Sequence, residues 1–227
     1  MLLKAEWTKL RSTKAFWWTS GLFFFFSFGF ALLIRRTLDQ SAELSALLMG
    51  MQSFGTLVLA VQSIMVITSE YRYNSQNVTF LAVPSRLRVA AVKWLIYALI
   101  VVLLVTIAVL FIAPFGEGSV WKAWCVNVCG ALALMTLSQG VAYITRQAAG
   151  AIAIVFLWQF ALEPALAFIP KAGAVYRYAP FNNYGAFLLQ RPVADVPWGW
   201  QGSGLYFAAW ALVMMAIGVT LLLKRDA

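Results

Sequence analysis

Six apolar runs, each about as long as a helix must be to cross a hydrocarbon core, divide this chain and restrict its fold more than any other feature. They cover roughly 16–34, 45–68, 92–111, 121–144, 148–168 and 204–223. A spanning helix needs about 20 mostly apolar residues. Lipid leaves backbone polar groups no partner outside a helix or a closed barrel, and barrel strands alternate in polarity where these runs do not. With 63% hydrophobic and 11% charged residues in 227, and a mean hydropathy of +0.82, the chain has too little polar surface for a water-soluble globule. The expectation is a single all-α transmembrane domain over 1–227 with six transmembrane helices. The basic N-terminus followed by an apolar run superficially suits a signal peptide. That run is too long and lacks a small-residue cleavage site, so it reads as a retained first span.

Charge suggests an orientation. With the N-terminus inside, inner segments carry eleven of the seventeen basic residues and three of the eight acids, leaving +8 inside and +1 outside. The positive-inside rule then puts both termini in the cytoplasm, with Arg35-Arg36 as an outside exception. The net charge of +9 belongs to this topology and to anionic headgroups, and no nucleic-acid partner is implied. Cys125 and Cys129, four apart in the fourth run, read as small apolar residues. There is no histidine, which argues against a metal site and against histidine acid–base catalysis.

The 170–203 segment is rich in aromatic residues, proline and glycine and predicts short or re-entrant helices at the outer interface. Residues 1–14 form an amphipathic pattern, with Leu3, Trp7 and Leu10 on one stripe and Lys4, Thr8 and Arg11 beside it. They predict an interfacial helix. Trp7 and Arg11 in this helix, with Trp17 and Trp18 at the opening of the first span, are the membrane-interface candidates. The bulky first run and the Val/Leu/Ile-rich third run read as lipid-facing; the fourth, with Asn127, Gly130, Thr136, Ser138, Gln139 and Gly140, reads as closely packed.

Polar residues in such a chain are the functional candidates. In the second run Ser45, Gln52, Thr56 and Ser63 fall within about 40° on an ideal α-helix, so they face other helices or a wet path. Gln159 and Glu163 lie four apart in the fifth run, ahead of Pro164. Together, Gln52, Thr56, Ser63, Gln159 and Glu163 are candidates for a substrate path. Between the second and third runs, residues 69–91 form a polar connection. Asn74 or Ser75 can cap two helical turns that Pro84 ends, Ser85 can cap the next helix, and Arg86, Arg88 and Lys93 would then meet lipid phosphates. Val78 and Leu81 lie on one side of the short helix, which suits a partner's groove. No phosphate-binding loop and no catalytic motif is present. The chain is not expected to be an enzyme, and any energy source is external.

The opening AEWTKLRSTKAFWW, the connection ITSEYRYNSQNVTFLAVPSRLRVAAVKW and the later YAPFNNYGAF resemble the permease subunits of type-2 ATP-binding-cassette (ABC) exporters, particularly those of actinobacteria. Family members carry a glycine–threonine pair where this chain has Asn74-Ser75. The resemblance implies a six-span subunit of the bacterial plasma membrane that dimerises with an identical copy or a paralogue. It also implies an N-terminal interfacial helix, re-entrant outer helices, and a coupling helix that docks on a separate ATPase present in two copies. The coupling role falls on Glu70, Tyr71, Arg72, Asn74, Ser75, Val78 and Leu81. ATP and magnesium would bind the ATPase, with no cofactor on this chain. A hydrophobic or amphipathic cargo such as a drug, antibiotic or lipid suits a route with few charges. The other reading is a membrane anchor or assembly subunit without a path of its own.

Overall fold

The computed structural model describes residues 2–37, 42–72, 85–169 and 173–224. Its elements are α1 (Leu2–Ser12), α2 (Lys14–Thr37), α3 (Leu44–Leu47), a π turn (Met51–Gly55) leading into α4 (Thr56–Arg72), and α5 (Arg86–Ile112). There follow α6 (Val120–Thr145), α7 (Ala148–Leu157), a second π turn (Trp158–Leu162), α8 (Glu163–Phe168), α9 (Gly173–Arg177), α10 (Pro180–Leu188) and α11 (Trp200–Lys224). No strand occurs among the described residues. Six helical stretches are long and apolar enough to cross a membrane: Lys14–Thr37, Met51–Arg72, Arg86–Phe115, Val120–Thr145, Ala148–Phe168 and Trp200–Lys224. The chain is a multi-pass, all-helical membrane protein.

Two compact units divide the contacts. The first comprises Met1–Ser63 and Ala91–Met135, the second Ile64–Ala90 and Thr136–Ala227.

In the first unit, α2 lies against the start of the second span. A Cβ on Gly50 would overlap Phe30 and come within 2.8 Å of the Phe26 carbonyl, and one on Gly55 would sit 3.2 Å from the Phe23 ring. On an α-helix, positions five apart diverge by about 140°; the i→i+5 bonding of the π turn brings them back into line. The turn therefore lets both glycines face α2, while Phe54 stacks on Phe26 and Phe30 at 5.5 and 5.0 Å. The stretch linking α5 to α6 is held by a two-bond bridge. The Leu44 amide donates to the Glu117 carbonyl at 2.8 Å and the Glu117 amide to the Ala42 carbonyl at 3.0 Å.

The first span is the exposed helix that its bulk implies, with 17% of its most apolar window buried. The third departs from expectation, because 56% of its window is buried, including Tyr97, Val101, Val105 and Val109. Its uniformly aliphatic composition provides no polar stripe by which a packed face could be told from a lipid face.

In the second unit, the later part of α6 meets α11 at two glycines. A Cβ on Gly140 would stand 2.6 Å from the Met214 carbonyl oxygen, and one on Gly218 within 3.0 Å of Tyr143 Cβ. Small residues here bring two backbones together, the usual source of helix association where no solvent drives apolar surfaces into contact. The segment before α11 folds back on it through aromatic pairs. Phe207 meets Tyr184 at 4.5 Å and Phe181 at 5.5 Å, and Trp198 stacks on Tyr206 at 5.3 Å.

Candidate functional site

The polar positions fall into three groups, each held by its own local chemistry. In the second unit α4 ends at Glu70, Tyr71 and Arg72. Glu70 is 7% exposed, Arg72 is exposed and Tyr71 is half-buried. The Arg146 guanidinium lies 5.4 Å from the centre of the Tyr71 ring, and Arg146 adopts a left-handed φ of 56° in the turn between α6 and α7. Asn74, Ser75, Val78 and Leu81 lie outside the described residues, as do the two helical turns and the stop at Pro84. Beyond them Ser85 caps α5 as its sequence suggests, its Oγ accepting from the Arg88 amide at 3.4 Å.

Two basic residues of α5 depart from their expected place at lipid phosphates. In the second unit Arg86 Nη1 donates to the Leu222 carbonyl at 3.0 Å. The last carbonyls of a helix lack intrahelical partners and carry partial negative charge, so the end of α11 attracts a guanidinium. In the first unit Lys93 Nζ lies 2.7 Å from Glu6 Oε2, and both side chains are 5% exposed. Lys9 approaches the other Glu6 oxygen at 2.9 Å. An ammonium buried in an apolar run is costly unless it is paired, and the carboxylate on α1 supplies the pair. Arg88 remains exposed.

The second group belongs to the first unit. Ser45 lies on α3, outside the second span, and donates to Glu43 at 2.9 Å. Gln52, Thr56 and Ser63 are all buried, at 7%, 3% and 0% exposure. The π turn (Met51–Gly55) changes the angular step between Gln52 and Thr56, while Thr56 and Ser63, seven apart on α4, keep theirs. Thr56 Oγ1 donates to the Gln52 carbonyl at 2.7 Å and Ser63 Oγ to the Ala60 carbonyl at 2.8 Å, so both hydroxyls are satisfied within their own helix. Gln62 supplies cross-helix bonds. Its Nε2 donates to the Phe16 carbonyl at 3.0 Å and Ser20 Oγ at 3.1 Å, and its Oε1 accepts from the Tyr97 hydroxyl at 2.8 Å.

The third group is in the second unit. Gln159 is half-buried. Glu163, 3% exposed, faces the first turn of α10. Its two carboxylate oxygens accept the Phe181 amide at 2.9 Å and the Asn182 amide at 2.8 Å. Pro180, first in that helix, has no amide hydrogen to satisfy, so the carboxylate takes the next two orphan donors at the positive end of the helix. Asn183 continues the fastening, with Nδ2 donating to the Arg177 and Ala179 carbonyls at 2.9 and 3.0 Å and Oδ1 accepting from Trp198 Nε1 at 3.3 Å. Beside α9 and α10, Arg177 and Asp195, 3.1 Å apart, line a cavity of about 620 Å³.

The membrane-interface candidates are outward: Trp7, Trp17 and Trp18 are 46%, 59% and 73% exposed. Trp17 Nε1 donates to the Arg11 carbonyl at 2.9 Å across the break between α1 and α2. Sequence reasoning missed Glu6, Gln62, Tyr97 and Asn183. One signal was legible: a lone acid in a basic N-terminal stretch and a lone lysine in an apolar run each call for a partner. Both cysteines are free, and no group of three potential metal ligands exists among the described residues.

No protein-family model matches the chain, and a search of curated proteins returned no match.

Proposed function

We propose that the chain is the permease subunit of an ATP-driven exporter of the type-2 ABC class, moving a hydrophobic or amphipathic substrate with force from a separate ATPase. The observation that supports this reading best is the fastening of α5, the helix that follows the polar connection. Arg86 binds it to the end of α11 and Lys93 binds it to α1. A push that arrives at α5 therefore reaches other helices through bonded side chains.

In this reading both termini are cytoplasmic in a bacterial plasma membrane, α1 lies in the inner headgroup plane, and α9 and α10 are the re-entrant elements at the outer face. Two ATPase subunits carry ATP and magnesium, and a second permease copy or a paralogue completes the path. Glu163, fastened to α10, serves the outer elements rather than the cargo. Gln52 and Gln159 remain the better candidates for contact with it.

Co-expression with a candidate stand-alone ABC ATPase, followed by affinity purification and ATP-hydrolysis measurement, tests the proposal. Glu70→Ala, Arg72→Ala and Leu81→Asp are expected to reduce the co-purified ATPase or to uncouple hydrolysis from export while the protein still inserts. Unchanged docking and export in all three would remove the coupling segment and leave the anchor reading.

A further inference from the structure

Arg35 and Arg36 run against the charge distribution of the rest of the chain, and the structure gives Arg35 a setting that the exporter reading does not use. At the end of α2 the Arg35 guanidinium lies over the Phe115 ring, 4.4 Å from its centre. Among the described residues it has no carboxylate partner. Stacking occupies the face of the guanidinium and leaves its in-plane N–H groups available.

Below it opens a cavity of about 300 Å³ between α2, α3 and the end of α5. Leu47 and Ile112, 0% and 2% exposed, close its floor, while Leu32 and Phe115, 54% and 49% exposed, form its rim. Ala31 leaves one wall low, and Phe28 meets Phe111 at 5.9 Å on the other. The volume is at the lower end of small-molecule sites, too small for a headgroup with its chains and suited to a single chain. The lining is otherwise apolar, with one cation at the mouth.

We propose that this cavity binds an anionic phospholipid, with one acyl chain between α2 and the end of α5 and the phosphate on Arg35. The inference does not depend on the exporter reading. Charge complementarity selects the occupant. An uncharged chain would leave the stacked guanidinium without an anion among the described residues, and a free anion would leave the apolar floor uncovered. Arg36, exposed beside Arg35, adds a second positive charge at headgroup depth.

The test is native mass spectrometry of the full-length protein released from nanodiscs of phosphatidylglycerol and phosphatidylcholine with matched chains, in equal amounts. The wild-type protein should retain phosphatidylglycerol preferentially. Arg35→Gln, which keeps the cavity, should reduce that preference about tenfold, the scale of one charge-assisted contact. Ala31→Trp, which keeps the arginine and fills the cavity, should reduce retention of both lipids. If Arg35→Gln acts but Ala31→Trp does not, the arginine only meets bulk headgroups and the site is disproved. Displacement of the lipid by inorganic phosphate alone would assign the site to a free anion and also overturn the proposal. A monodisperse elution profile shows that each variant is folded, and Leu32→Trp at the rim replaces Ala31→Trp if the latter is not.

Discussion

Glu163 shows how a charged group in an apolar run can look path-lining in sequence and make structural bonds in space. Four residues after Gln159 and just before Pro164, it stands out because a carboxylate at that depth is expensive. In the structure its expense is offset by two amide donors at the start of α10. Glu163→Ala should strip both amides of their acceptor and lower stability by about 2 kcal/mol. Glu163→Gln, which keeps one carbonyl acceptor, should fall between. Thermal unfolding in detergent checks the order, and under the proposed exporter reading export per folded molecule should be unaltered in both; loss of export by the glutamine variant at full stability would restore a role in the path. The cap was not legible in the sequence, since the acceptor and its donors are 18 and 19 residues apart and no periodicity links them.

Helices were the most legible feature. The expected runs fall inside five of the six observed spans; Ala148–Phe168 coincides with its run, and the other four extend further because helix continues into the flanking residues, as with Arg86 to Ala91 in α5 or Trp200 to Ser203 in α11. The second span is the exception. Ser45 belongs to α3, and the spanning stretch begins at Met51. Its π turn answers to Phe23, Phe26 and Phe30 on a neighbouring helix, information that a single 100° projection does not contain. The same limit hid the seam between α6 and α11. There Gly140→Ala should cost about 1–3 kcal/mol by forcing two backbones apart. Gly29→Ala, with nothing within 4 Å of the added carbon, should be neutral or stabilise by up to about 1 kcal/mol through the gain in helix propensity. Detergent melting of the two variants checks the contrast; equal effects would mean that the Gly140 contact is not close.

For the molecule in its membrane, the decisive variable is which side holds residues 69–91. With Cys125 and Cys129 replaced by alanine, Ser75→Cys should react with a membrane-impermeant maleimide only after cells are opened, and Ala194→Cys should react with intact cells. The reverse pattern would put the proposed coupling segment beyond the reach of an ATPase. The ion pair between Glu6 and Lys93 adds a constraint of a different kind, one of timing. Its partners are 87 residues apart in sequence, and at a synthesis rate of about 5–20 residues per second the carboxylate is made roughly 4–17 seconds before its ammonium. Until the third span is made α1 lacks this bond, so its attachment to α5 is completed only after the two intervening spans have been synthesised.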